Sequence, residues 1–94
     1  MIVKVHSGPH GKVMVVTDEE ILGKKFIERK LQLDLSKEFY KGEKMGDEEI
    51  KKLVKECYIL HLTGEKSIQL FSELVEKKLI VNGIPHAEIV LVWD

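Results

Sequence analysis

Apolar and polar residues alternate near both ends of the chain and recur at helical spacing through its second half. Ile2-Val3-Lys4-Val5-His6 and Lys12-Val13-Met14-Val15-Val16 read as two strands. Ser7-Gly8-Pro9-His10-Gly11 turns between them, so the N-terminus is a hairpin with Val3 and Val5 on one face and Lys4 and His6 on the other. Thr17 with Glu20 three residues on predicts a capping box, closed by a staple of Val16 against Ile21. Asp18, Glu19 and Glu20 suit the positive end of that helix, and Gly23 ends it after little more than one turn. Leu31, Leu33 and Leu35 alternate with Gln32 and Asp34 in a half-buried strand, approached by an extended lead-in over residues 26–30. Ser36 caps a short turn through Phe39 and Tyr40, and residues 41–46 form a polar loop.

Asp47 opens a helix whose core stripe is Ile50, Leu53, Val54 and Cys57, with Lys51, Lys52 and Lys55 on the solvated side. Residues 58–62 fit either the end of that helix or a short strand. Thr63-Gly64 breaks the pattern. A second helix then runs from Glu65 to about Lys77 on a stripe of Ile68, Phe71, Leu74 and Val75. After Leu79-Ile80-Val81 and the turn Asn82-Gly83, residues 86–93 form the last strand. Ile89, Leu91 and Trp93 face one way and Val90 and Val92 the other, which predicts a strand inside a sheet or one covered on both sides. The fold expected is a single compact α+β domain over residues 1–94. Its small mixed or antiparallel sheet combines the N-terminal hairpin, the middle strand and the C-terminal strand beside the hairpin. Two main helices pack on one face.

Composition narrows the class. Ninety-four residues supply one modest core, and 44% hydrophobic with 33% charged residues describes a globular chain. A net charge of -1 argues against strong nonspecific nucleic-acid binding. No apolar run is long enough for a bilayer and no signal-peptide pattern precedes the first strand, so a cytoplasmic protein without membrane contact is expected. The single Cys57 forms no intrachain disulfide and fits a reducing compartment. Charge carried mainly by Lys and Glu, with one Asn and two Gln, resembles a thermophile's surface.

Candidate chemistry is sparse. The histidines and Cys57 show no paired metal-ligand spacing, so no metal or cofactor is expected, and Cys57 on an apolar stripe reads as an inert thiol. Thr63-Gly64-Glu65-Lys66-Ser67 looks like the tail of a phosphate loop, but Glu65 interrupts the Gly-Lys-Ser such a loop needs. What survives is a helix N-terminus with Lys66 and Ser67 able to hold one anion, which Glu65 opposes. Glu-x-Lys occurs three times and carries no information, and the Gly8-Pro9-His10-Gly11 loop joins strands rather than the helices of a KH domain. The least ordinary stretch is Gly83-Ile84-Pro85-His86. Pro85 fixes its own φ, removes a donor and holds Ile84 extended, so His86 emerges at a stiff corner. The candidate binding residues are therefore Gly64, Glu65, Gly83, Pro85 and His86, and no catalytic residue is assigned.

Ile2-Val3-Lys4-Val5-His6, Asp18-Glu19-Glu20-Ile21-Leu22-Gly23-Lys24-Lys25-Phe26, Gly64-Glu65-Lys66 and Gly83-Ile84-Pro85-His86-Ala87 stand in an order that resembles the archaeal domain of unknown function 424, nearly end to end. Glu88 departs from the glutamine associated with the position after His-Ala. The resemblance implies an archaeal cytosolic protein and supplies no activity. The function expected is a small binding or adaptor module with a protein or ribonucleoprotein partner; a link to RNA or translation is the looser expectation. The alternative is a small-ligand binder or enzyme using His86, with Glu65 as the carboxylate that orients it.

Overall fold

β1 (Ile2–Gly8) and β2 (Gly11–Thr17) pair antiparallel from Ile2 opposite Thr17 to Gly8 opposite Gly11, in a computed structural model that describes residues 1–93. The hairpin forms as its alternation requires, with the turn reduced to Pro9-His10. Residues 58–62 resolve as strand: β6 (Cys57–Thr63) runs parallel to β2, with a register shift after Lys12. β8 (Ile84–Val90) pairs antiparallel with β6, and the short β7 (Leu79–Val81) pairs antiparallel with β8. A two-residue strand, β5 (Glu43–Lys44), borders β1 on the far side.

The sheet is thus six-stranded, in the order β5-β1-β2-β6-β8-β7, and larger than the sequence suggested. The C-terminal strand does not lie beside the hairpin, because β6 stands between them. Burial explains this arrangement. Met14, Val15 and Val16 in β2, and Leu60 and Leu62 in β6, are fully buried, so both strands need neighbours on both edges as well as covered faces.

The two helices cover one face, as expected, but both are short. α1 (Asp47–Leu53) starts at the predicted residue and gives way to a 3-10 turn at Val54–Glu56. α2 (Glu65–Leu70) stops well before Lys77 and is followed by a 3-10 turn at Ser72–Leu74. Ile68 and Phe71 reach the core, whereas Glu76-Lys77-Lys78 has nothing apolar to bury and cannot sustain another turn. The main core joins Val3, Met14, Val16, Leu60, Leu62 and Ala87 of the sheet to Ile50, Val54, Ile68 and Phe71 of the helical layer.

The opposite face is covered differently. The expected lead-in is mostly a strand, β3 (Lys25–Glu28), which pairs with β4 (Leu31–Asp34) as a separate two-stranded sheet. Arg29, at φ 55°, makes the turn. This second hairpin brings Leu33 and Leu35 onto Val81. The predicted opening helix shrinks to one 3-10 turn at Glu19–Ile21 with no side-chain cap. Thr17 does not cap it, because Thr17 is the fully buried last residue of β2.

Candidate functional site

Because β2 and β6 run parallel, Asp18 and Gly64 leave the sheet side by side. The Asp18 N–H donates to the Thr63 carbonyl at 3.0 Å. Its carboxylate, only 3% exposed, turns into the start of α2. Oδ2 accepts the Lys66 N–H at 2.9 Å, and Oδ1 accepts the Ser67 N–H and the Ser67 hydroxyl, each at 2.7 Å. Asp18 thus caps a helix 48 residues further along the chain. Gly64, at φ 105°, accommodates this, since a Cβ there would collide with the Asp18 carboxyl carbon. The anion that the helix start was expected to hold is Asp18 itself, and the Lys66 ammonium is engaged with Glu20 at 3.2 Å. Glu65 is exposed and lines a surface depression with Met1, Asp47, Lys51 and Lys66 on the helical side.

The other face of the same strand ends carries histidine. The Gly64 N–H donates to the Pro85 carbonyl at 2.9 Å, which seats the Pro85-His86 corner against β6. His86 Nδ1 then lies 2.8 Å from the Thr63 hydroxyl, and its ring centroid lies 6.0 Å from that of His61. Phe39 closes this face, stacked on His6 at 4.7 Å and edge-on to His61 at 5.2 Å. Burial pushes the His86 imidazole below its usual pKa, and His61 adds to that while Glu88 opposes it. Burial does the same to His61, with Glu88 pulling up and His6 pushing down. Both rings are therefore neutral at pH 7.

Of the residues singled out from sequence, Gly64, Pro85 and His86 come together. Glu65 does not join them. His86 projects to the side away from Ala87 and the helical core, while Glu65 belongs to the helical side. Gly83, at φ 82°, and Asn82, at φ 47°, make the turn between β7 and β8, anchored by the Asn82 N–H to Glu28 Oε1 at 2.7 Å. Pro85 is buried at the point where the β6–β8 ladder ends, so its missing donor removes little. Sequence reading missed Asp18, Thr63 and His61. They are united only by the parallel pairing of β2 with β6, for which no local signal exists. Among the described residues, no group of three or more His, Cys, Asp or Glu is placed to hold a metal ion. The Cys57 thiol is buried and burial pushes its pKa up, in keeping with an inert group.

A different feature stands at the far end of β8. The Leu91 N–H donates to the Tyr58 carbonyl at 2.7 Å, in step with the bond from Gly64 to Pro85. This alternation directs the backbone groups of Ala87, Ile89 and Leu91 towards β6 and those of Glu88 and Val90 outward. β7 covers only Ile84 to His86 on that outer edge. Among the described residues, the outward N–H and C=O of Glu88 and Val90 have no hydrogen-bond partner. A slot of about 430 Å³ separates this edge from Glu73, Leu74, Glu76 and Lys77. Val90 is 69%, Val92 85% and Trp93 48% exposed. Of the two arrangements expected for the last strand, β8 does lie inside the sheet, between β6 and β7, but it is not covered on both faces: its second apolar face meets solvent beside an edge that is unpaired from Glu88 on. The Trp93 indole N–H donates to the Cys57 carbonyl at 3.0 Å and pins the end of this segment.

These features define an α+β domain with a helix-capped pair of parallel strand ends and a free strand edge along the second half of β8. Residues 5–92 match the family described as "Protein of unknown function (DUF424)", and the chain belongs to that family. A crystal structure of an uncharacterized conserved protein from Methanopyrus kandleri shares the fold. Its TM-score is 0.77 at 20% identity, over 99% of this chain and 94% of that one. No curated protein matches the chain. No helix is long and apolar enough to cross a membrane.

Proposed function

We propose that this protein is a small binding module that takes up an extended segment of a protein partner as an added strand along β8. The observation that carries this reading is the pair of unpaired backbone positions, Glu88 and Val90, facing a slot beside an exposed valine. An edge with free donors and acceptors is a template for another strand, and soluble proteins ordinarily blunt such edges with charge, proline or a covering loop. The residues picked out from sequence serve this edge as its frame. The Gly64 bond to Pro85 and the Thr63–His86 contact fix where β8 begins, and His86 lines a shallow depression with Lys77, Lys78 and Glu88 next to the slot. An active site of His86 with Glu65 draws no support from the geometry, since the two side chains share no cleft. Neither the family's description nor the neighbour's names RNA or translation. We place the module in the cytoplasm of a thermophilic archaeon, on the strength of its buried free thiol and its Lys/Glu-rich surface with five lysine–glutamate pairs among the described residues.

The test is a pull-down from native extract with wild type and Val90→Pro, each with and without nuclease. Proline at position 90 removes only an outward N–H, so the β6–β8 ladder survives. The reading expects a protein captured by wild type, retained after nuclease and lost with Val90→Pro. Equal capture by both proteins overturns strand addition, and loss of all capture with nuclease points to an RNA-bridged partner instead.

A further inference from the structure

We infer that the segment taken up along β8 is basic, a strand that carries lysine or arginine two residues away from a β-branched residue, so that the two share one face. This rests on the strand-addition reading above. The walls of the slot carry Glu73, Glu76 and Glu88 against the single Lys77. Glu73 is already met by Lys51 at 3.2 Å, whereas Glu76 and Glu88 form no ion pair among the described residues. Glu88 and Val90 project from the same face of β8 at the two positions whose backbone groups point outward. An added strand therefore sets one residue directly opposite Glu88 and another, two positions along, opposite Val90. A cation at the first position and a branched apolar side chain at the second are the favourable cross-strand pairs. His61, across from Glu88 on β6, cannot serve as its counter-charge while its buried ring stays neutral.

The same geometry argues against a second copy of this chain as the occupant. Antiparallel self-pairing about Val90 places Glu88 opposite Val92 of the other copy and leaves both carboxylates unanswered. Self-pairing about Glu88 sets two carboxylates face to face, which is destabilising. A foreign basic strand satisfies the backbone and the charge together.

The experiment titrates two short, end-blocked peptides, one repeating Lys-Thr-Val-Thr and the other repeating Glu-Thr-Val-Thr, against the whole protein by amide NMR. The basic peptide is expected to bind about threefold tighter than the acidic one or better, as a favourable pair at Glu88 in place of a like-charge pair implies. Its shifts should centre on Glu88 and Val90, and its affinity should fall as salt is added. Glu88→Lys should narrow or invert the preference, and Val90→Pro should abolish binding. Equal affinity for both peptides, tighter binding of the acidic one, or no binding of either overturns the inference. So does a species of twice the 10.8 kDa monomer mass that Val90→Pro dissolves, because a second copy then fills the edge. These four results leave strand addition itself standing. Undiminished peptide binding by Val90→Pro overturns both readings.

Discussion

Replacing Asp18 by alanine removes the acceptor of three hydrogen bonds and the cap of α2 in one step. The loss of the cap costs about 1 kcal/mol. The Ser67 N–H is fully buried and would be stranded, at about 1–3 kcal/mol, whereas the Ser67 hydroxyl keeps Met1 Sδ at 3.5 Å as a weak acceptor and the Lys66 N–H lies on an exposed residue and can turn to water. The sum is about 2–4 kcal/mol, a large share of the roughly 5–15 kcal/mol that holds a domain of this size together. Denaturant unfolding with matched m-values measures it. Gly64→Ala should be comparably damaging, because its Cβ collides with the Asp18 carboxyl and its φ of 105° strains any side chain. The two effects share a cause. In Asp18→Ala/Gly64→Ala the collision with the carboxyl is removed and only the 2.7 Å approach to the Cβ of residue 18 remains, so the double variant should be more stable than the sum predicts by at least about 1 kcal/mol. A cost below about 1 kcal/mol for Asp18→Ala, or additivity within about 0.5 kcal/mol, would refute the strut.

Thr17 Oγ1 is the one buried side-chain polar atom without a partner among the described residues, so Thr17→Val should be neutral or stabilising by up to about 1 kcal/mol; a loss larger than that would reveal a missed partner. His61 and His86 hold lowered pKa values in the folded chain, so the unfolded chain binds more protons as pH falls through about 6.5. Their stabilising effect is complete above that pH and is lost between there and their lower folded values. Unfolding free energies across this range should fall with acid, and fall less steeply in His61→Gln/His86→Gln; an unchanged slope in the double variant would contradict the assignment. Cys57, buried and with its thiol pushed to higher pKa, should react with a thiol reagent only as fast as the chain unfolds. Rapid labelling under native conditions would show that its strand opens locally.

Where the sequence was readable, the signal was local. The period-two run of β1 and β2, the start of α1 at Asp47 and the Asn82-Gly83 turn each follow from neighbours in the chain. The parallel pairing of β2 with β6 was not readable, since a buried run such as Tyr58-Ile59-Leu60-His61-Leu62 fits a helix end as well as a central strand. With that pairing hidden, Asp18 looked like the first acid of its own helix instead of the cap of α2. Pro85 and His86 were found for the right local reason, a stiff corner, but their partners Gly64 and Thr63 came from the hidden pairing. The last strand was half legible. Its two apolar faces suited a strand inside a sheet, which β8 is, but Val90 and Val92 lie uncovered beside the stretch of its outer edge that β7 does not reach.

That edge is the central claim, and amide hydrogen exchange along β8 tests it most directly. In dilute protein, Ile89 and Leu91 should exchange slowly, held to β6, while Glu88 and Val90 exchange at rates close to those of an open chain. On saturation with the partner or with a basic peptide strand, Glu88 and Val90 should become as protected as their neighbours. Protection of Val90 in the dilute protein, or continued fast exchange of Glu88 and Val90 in the complex, would contradict the account.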